Sequence, residues 1–205
     1  MTVRLPLQGP ADLPAAVAAV REVVAQGGVC AFPTETYYGL GCDPWNRDGV
    51  ARVFTLKGRP QEKALPLVAA DLTQVEELAE LGEVWRDRLR SAWPAPLSVV
   101  LRLRRYLPAC GFTVAVRVPA HPLLRTLLAR TGPLTSTSAN AADGPPPVTG
   151  EEVEAVLGRG LDLLLDGGST PGGAPSTLLD LTVVPSVILR KGAWEPPAAW
   201  DVQVV

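Results

Sequence analysis

The stretch GGVCAFPTETYYGLGCDPWN, residues 27–46, contains the signals that decide the fold of this chain. The glycine pair that opens it ends a predicted helix, because glycine readily adopts the left-handed conformation beyond the last turn of a helix. The apolar run at 29–32 predicts a buried strand, and a polar and aromatic loop follows at 33–41. Asn46 can then cap the start of a second helix. A helix, a strand and another helix in immediate succession indicate an α/β architecture.

The alternation of helices and strands continues on both sides of this stretch. Before it, residues 3–7 predict a short strand, and apolar residues at three- and four-residue spacing predict a helix over 12–26. The further elements predicted by the same signals are helices at 47–56, from 71 onward, and at 83–93, 121–130 and 149–157, and strands at 65–69, 97–103, 113–118, 133–138, 161–165, 177–181 and 187–190. We therefore expect one α/β domain over residues 1–205, with an open, twisted mixed sheet flanked by helices.

The composition narrows the class of protein. The chain has 205 residues, 47% of them hydrophobic, and 19 Lys and Arg residues against 21 Asp and Glu residues. A formal net charge of −2 excludes a protein whose whole surface binds nucleic acid, so an acidic substrate would need a local basic pocket. Three cysteines at irregular spacing are typical of reduced intracellular thiols. Because there is no signal-peptide pattern and no apolar run approaching about 18 residues, we expect a cytoplasmic protein that does not contact membranes.

Several familiar catalytic patterns do not occur in the sequence. There is no P-loop motif, and the segment GLGCDP starts like a dinucleotide-binding fingerprint but has Pro44 where the third glycine belongs. With a single histidine and no C-x-x-C motif, we expect no metal site. His121 is either a base for Cys110 or Cys30 or, as we favour, a hydrogen-bonded histidine at a helix start, since nothing else completes a catalytic triad.

One predicted strand carries an arginine among apolar residues. Over residues 113–118, alternation places Thr113, Ala115 and Arg117 on the face opposite three valines. An arginine at such a position either reaches solvent from a sheet edge or lies in a polar cavity. Both interpretations of Arg117 are open at this point.

Small hydroxyls and cations occur in two further places. In the segment TSTSAN, Ser136, Ser138 and Asn140 project to one side, where short donors can approach phosphate or sugar oxygens; the alternative is an edge strand that runs into a turn. Lys57 and Arg59 lie two residues apart at a predicted helix end. They either complement the helix dipole or bind an anion.

Several segments taken together resemble the YrdC/TsaC family. In family order, they are GGVCAFPTETYYGLGCDPWN, FTLKGRPQEKALPLVAA, WPAPLSVVL, VAVRVPAHP, TSTSAN, GGAPSTLLDLT and ILRKGAW, and they cover most of residues 27–194. Each segment is a weak signal by itself, but the combination is highly specific. The resemblance implies an open α/β sheet curved around a deep, positively charged cavity. It places the motif-bearing core at about residues 12–194, without the additional C-terminal domain of the long form of the family.

The resemblance also implies an activity. The family makes L-threonylcarbamoyl-AMP and pyrophosphate from L-threonine, bicarbonate and ATP, so we expect a nucleotidyltransferase with Mg²⁺ accompanying ATP. The product supplies the threonylcarbamoyl group of N6-threonylcarbamoyladenosine at position 37 of tRNA, by way of the tRNA threonylcarbamoyl-transferase complex. Weak binding of tRNA is a further expectation. The alternatives are a non-catalytic module that binds tRNA or double-stranded RNA, and a carbamoyl-adenylating enzyme of the same fold.

Individual residues acquire expected roles from the same resemblance. The residues expected at ATP are Lys57, Arg59, Thr113, Ser138, Asn140 and Arg190. Lys57 and Arg59 form the expected catalytic pair, which holds the triphosphate. The residues expected at threonine are Thr34, Arg117, Ser136 and Ser176. The chain departs from the family pattern at Ala95 and Ser98, where glycine and threonine are usual, and at Val68 and Ala69, where some members have a histidine.

Overall fold

The computed structural model describes residues 2–58, 64–142 and 144–204, in which strands alternate with helices. The strands are β1 (Val3–Pro6), β2 (Cys30–Pro33), β3 (Tyr38–Gly41), β4 (Leu67–Val68), β5 (Leu97–Leu107), β6 (Gly111–Arg117), β7 (Leu134–Thr135), β8 (Thr137–Ser138), β9 (Leu163–Asp166), β10 (Thr177–Asp180), β11 (Val187–Arg190) and β12 (Gln203–Val204). The α-helices are α1 (Leu13–Ala25), α2 (Arg47–Lys57), α3 (Leu72–Leu78), α4 (Glu83–Ala92), α5 (Pro122–Thr131) and α6 (Gly150–Leu157). The expected α/β class is therefore confirmed.

Side-chain caps define where helices begin. Asn46 Oδ1 accepts hydrogen bonds from the backbone N–H groups of Asp48 at 3.0 Å and Gly49 at 3.1 Å, at the start of α2. Thr149 and Glu152 form a reciprocal capping box at the start of α6. The predicted cap at Asn46 is confirmed, and it places α2 directly after the stretch that contains β2 and β3.

The strands form two mixed sheets rather than the single sheet expected from the sequence. In the described residues, one sheet has five strands in the order β1-β9-β2-β3-β8, and the other has seven in the order β12-β11-β10-β5-β6-β4-β7. Each sheet contains parallel and antiparallel pairs. The mixed pairing is thus confirmed, and the division into two sheets is the difference.

The division follows from one short segment. The sequence predicts a single strand over 133–138, but Leu134–Thr135 pairs with β4 in the seven-stranded sheet, whereas Thr137–Ser138 pairs with β3 in the five-stranded sheet. Ser136 lies between them and donates its backbone N–H to Pro66 O at 2.7 Å. The chain therefore crosses from one sheet to the other at Ser136.

The two sheets differ in how helices cover them. The five-stranded sheet has helices on both faces: α1 and α5 pack on the face that includes Phe32, and α2 and α6 pack on the face that includes Ala31. The seven-stranded sheet packs one face against α3 and α4. Strand alternation turns Ser98 and Arg117, which are paired across β5 and β6, away from that core. This second face of the sheet is available to form a cavity wall.

Strand β3 lies in a segment that the sequence predicts to be a loop. Its sequence YGLG contains two glycines, and glycine is depleted in strands. A Cβ atom on Gly41 would lie only 2.1 Å from Thr135 O, so β7 passes directly against the backbone of β3. Glycine is needed for this close approach, and the same residue hides the strand from a prediction based on propensity.

We predict that Gly41→Ala lowers the free energy of unfolding by about 3 kcal/mol or more, because the added methyl group must push β7 away. The melting temperature should fall by about 6–12 °C, measured by calorimetry. Gly82→Ala is the control, since a Cβ there meets no atom within 4 Å, and its effect should stay within about 1 kcal/mol, the cost of alanine at the start of α4. Equal melting temperatures for the two variants would contradict the close approach.

Candidate functional site

A cavity of about 480 Å³ lies between the two sheets. Its walls come from β3, β8 and the turn before β3 on one side, and from β4, β5, β6, β10 and β11 on the other. A volume of this size suits a small-molecule ligand. Six of the ten residues expected at a ligand line it, namely Thr34, Arg117, Ser136, Ser138, Ser176 and Arg190. The structure thus brings these six together, and the net positive charge of the cavity stays a prediction.

Arg117 lies in the cavity rather than at a solvent-facing sheet edge. Its side chain is 11% exposed, and Nη1 lies 2.9 Å from Oε1 of Glu35, whose side chain is 12% exposed. Burial lowers the pKa of Arg117, and the negative charge of Glu35 acts in the opposite direction. Of the two interpretations of this strand arginine, the polar cavity is therefore confirmed. A guanidinium in this setting can bind a carboxylate or phosphate through parallel hydrogen bonds.

Arg190, Ser176 and Ser98 form a hydrogen-bonded group on the same wall. Arg190 donates to Ser176 O from Nε at 3.1 Å and from Nη2 at 2.9 Å, and Nη2 also lies 3.2 Å from Ser176 Oγ. The hydroxyls of Ser176 and Ser98 are 2.9 Å apart and both are buried. Ser98 stands opposite Arg117 in the β5–β6 register, so this group lies beside Arg117 on the sheet face.

The opposite wall includes a tight turn of hydroxyl side chains. Thr34 Oγ1 donates to Tyr37 O at 2.7 Å and lies 3.1 Å from Thr36 Oγ1. The glycine-rich segment after β9 closes over this turn, since Gly172 donates its N–H to Thr36 O at 2.7 Å and Tyr37 donates its hydroxyl to Gly173 O. The buried Thr34 is consequently held in one place by hydrogen bonds.

Lys57 lies beneath the S-x-N segment, outside the set of residues that line the cavity. It is 3% exposed, and its ammonium donates to Ser138 O at 2.6 Å, Asn140 O at 2.8 Å and Asn140 Oδ1 at 3.0 Å. Ser138 Oγ donates to the same Oδ1 at 2.5 Å. Lys57 therefore ties the end of α2 to the segment that follows β8, which the helix-dipole interpretation alone does not explain.

Two other expected ATP contacts have different positions. Thr113 is exposed and lies on the same face of β6 as Arg117, but it is not among the residues that line the cavity. Arg59 lies outside the described residues. The roles expected of Lys57, Arg59, Thr113 and Asn140 stay predictions.

Among the described residues, the cysteines and the histidine do not form a pair of nucleophile and base. Burial raises the pKa of Cys42 to about 11 and that of Cys110 to about 12, and it raises the pKa of the fully buried Cys30 as well. These thiols are therefore protonated near neutral pH.

His121 Nδ1 accepts a hydrogen bond from Leu124 N at 3.2 Å, which confirms the preferred interpretation of a helix-start histidine. In residues 2–58, 64–142 and 144–204, no three His, Cys, Asp or Glu side chains come together as a metal-binding group.

Sequence reasoning missed two residues of this site. Glu35 is missing from the residues expected at a ligand, although a carboxylate two residues after a buried strand is a usable signal. Ser98 was noted only as a departure from a family pattern, and its bond to Ser176 joins residues distant in the chain. Neither contact could be found from local sequence, because each depends on how the sheets pack.

Two mixed sheets around a hydroxyl-lined cavity with arginines on its wall define an α/β protein with a candidate site for a small molecule. More particularly, the chain belongs to the Sua5/YciO/YrdC family, since the family model described as "Telomere recombination" matches residues 22–192. None of the helices in the described residues has the length and apolar character needed to cross a membrane.

Relatives and solved structures agree with the family assignment. The threonylcarbamoyl-AMP synthase of Pseudomonas aeruginosa (strain UCBPP-PA14) is 46% identical over 164 residues, which are 78% of this chain and 89% of the relative. P. abyssi Sua5 complexed with L-threonine superimposes with a TM-score of 0.86 at 30% identity, covering 100% of this chain and 62% of that one. E. coli YciO superimposes with a TM-score of 0.81 at 27% identity, covering 95% and 97%. This chain thus spans less than two thirds of the length of P. abyssi Sua5.

We predict that Lys57→Met lowers the free energy of unfolding by about 2–3 kcal/mol, because buried oxygens of Ser138 and Asn140 lose a charged donor. The melting temperature should fall by about 4–12 °C. Lys191→Met is the control, since Lys191 is exposed, and it should change stability by less than about 0.5 kcal/mol. A Lys57→Met protein that melts together with the control would disprove the tethering role.

Proposed function

We propose that this chain is an L-threonylcarbamoyl-AMP synthase, a nucleotidyltransferase that converts L-threonine, bicarbonate and ATP to L-threonylcarbamoyl-AMP, pyrophosphate and water. The observation that carries the proposal is a cavity lined by polar groups of both sheets, with Arg117 from the seven-stranded sheet and Ser138 from the five-stranded sheet, in a chain 46% identical to a synthase of this name. The named relatives support this function and not the RNA-binding or carbamoyl-adenylating alternatives.

The proposed reaction has two bond-forming steps. The amine of threonine loses a proton and attacks the carbon of bicarbonate, from which one oxygen leaves as water, or the carbon of CO₂, which bicarbonate forms by losing water; either route gives a carbamate. A carbamate oxygen then attacks the α-phosphorus of ATP, and pyrophosphate leaves with the electrons of the broken phosphoanhydride bond. Such chemistry needs aligned reactants and neutralised phosphate charge rather than a covalent protein intermediate. Protonated thiols and a cavity of arginines and hydroxyls are consistent with that requirement.

We assign threonine to the region of the cavity around Arg117 and ATP to the region around Ser138. Arg117 holds the carboxylate of threonine, with Thr34, Ser136 and Ser176 completing its surroundings. On the nucleotide side, Ser138 faces the cavity, while Asn140 and Lys57 support it from behind. Arg190 lines the cavity beside Ser176, and we assign its guanidinium to a phosphate of ATP. Arg59 and Thr113 are the remaining proposed ATP contacts.

The other expected participants follow from the proposed reaction. Mg²⁺ enters with ATP, bound mainly by the nucleotide and water. The product passes to the tRNA threonylcarbamoyl-transferase complex, and weak binding of tRNA to this chain is part of the same proposal. We propose a cytoplasmic location, where ATP, threonine and tRNA occur together.

We predict that pyrophosphate release from ATP requires both threonine and bicarbonate. Leaving out either should reduce release to background, measured with a coupled pyrophosphate assay, and mass spectrometry should identify the adenylate product. Serine should be a poorer substrate by about 1–3 kcal/mol, or about 5- to 150-fold in kcat/KM, if the site packs against the methyl group of threonine. Undiminished pyrophosphate release without threonine would exclude the synthase function.

We also predict that Arg117→Lys weakens threonine binding about 10-fold or more and leaves ATP binding within about 2-fold. The reason is geometric, because a guanidinium can donate two parallel hydrogen bonds to a carboxylate and an ammonium cannot. Calorimetric titrations with each ligand separately provide the measurement. If ATP affinity falls while threonine affinity is retained, the two regions are assigned the wrong way round.

A further inference from the structure

Glu35 is a buried acidic residue at the wall of the cavity. It lies in the turn between Thr34 and Thr36, both of which line the cavity, and its own side chain is 12% exposed. Both of its carboxylate oxygens are buried. Placing a carboxylate in such surroundings is unfavourable unless an opposite charge compensates it. In the described residues, the compensating charge is Arg117.

The contact between these two groups is an ion pair without a hydrogen bond. Glu35 Oε1 lies 2.9 Å from Arg117 Nη1, yet neither oxygen of Glu35 has a hydrogen-bond partner among the described residues. The N–H directions of the guanidinium are therefore not aimed at Glu35. Within the ranges that the structure describes, the Arg117 side chain donates no hydrogen bond to another residue either. Its planar set of donors is available to a ligand.

Arg117 depends on this neighbouring charge. Burial disfavours a cationic guanidinium here, and Arg190 adds a repulsive positive charge, whereas Glu35 is the group that favours the charged form. Without Glu35, Arg117 would be a buried cation with no compensating charge and no hydrogen bond to hold its plane. Such a side chain would relax away from the wall toward solvent.

We propose that Glu35 is a positioning residue for Arg117: its charge holds the guanidinium at the cavity wall and leaves the donors of that group open for the carboxylate of the amino acid substrate. The proposal rests on the assignment of Arg117 under the proposed function. Glu35 acts through Arg117 and does not itself contact the ligand. The effect of removing its charge must therefore disappear when Arg117 can no longer bind a carboxylate through two hydrogen bonds.

A double-mutant cycle tests this dependence. The proteins are the wild type, Glu35→Gln, Arg117→Lys and the double variant, with dissociation constants for threonine and ATP measured by calorimetry. Glu35→Gln keeps the size of the side chain and should weaken threonine binding by about 10-fold, with ATP binding changed less than about 2-fold. The double variant should bind threonine within about 2-fold of Arg117→Lys alone. Glu151→Gln, at an exposed carboxylate that pairs with Arg4, is the control and should match the wild type.

Each other outcome counts against the proposal. Additive losses in the double variant would mean that Glu35 contacts the ligand directly, and unchanged threonine affinity in Glu35→Gln would mean that it has no role there. If Glu35→Gln does not fold, Glu35→Asp, which retains the charge, should raise KM for threonine and preserve kcat; a lower kcat with unchanged KM would overturn the proposal. A wild type that neither binds nor uses threonine would instead refute the proposed function itself.

Discussion

The close passage of β7 against β3 is the constraint on which the rest of the structure depends. Thr135 O lies where a side chain at position 41 would be, so the two backbones meet with only glycine between them. The Thr135 hydroxyl also accepts a hydrogen bond from the backbone N–H of Cys42 at 2.9 Å, so the Thr135 side chain helps to hold β7 against β3. One residue later the chain leaves the seven-stranded sheet for the five-stranded one. The separation of the cavity walls is set at this point.

The polar walls of the cavity cost little stability because most of their polar groups already have hydrogen-bond partners within the protein. Ser98 bonds to Ser176, Thr34 bonds to its own turn, and Lys57 bonds to the segment behind Ser138. These contacts order the side chains before any ligand arrives, which lowers the entropy that binding must remove. Arg117 is the exception in this set, since its charge is compensated but its hydrogen-bonding capacity is not used.

Local patterns in the sequence predicted those features that do not depend on packing. The alternation around Arg117 placed the arginine opposite a valine face because strand geometry alone dictates it, and Asn46 marked a helix start through its own backbone contacts. The crossing at Ser136 was not predictable, since it depends on the pairing of residues 134–135 with β4 and of residues 137–138 with β3, which are distant in the chain.

 The approach of Gly41 to Thr135 brings together two segments far apart in the chain, and no local pattern at either one reports it. The same is true of Glu35 and Arg117, whose meeting depends on how the two sheets face each other.

The pairing of Glu35 with Arg117 also bears on how a ligand reaches this wall. Because the two charges lie side by side, their fields largely cancel at distances beyond about 8–10 Å, where salt already screens what remains. The Glu35–Arg117 pair therefore contributes little to attracting an anion from bulk solution. With Arg117 assigned to the threonine carboxylate as proposed, discrimination at this pair takes place only at contact with its planar donors. The wall favours retention of a well-shaped ligand over rapid capture of any negatively charged one.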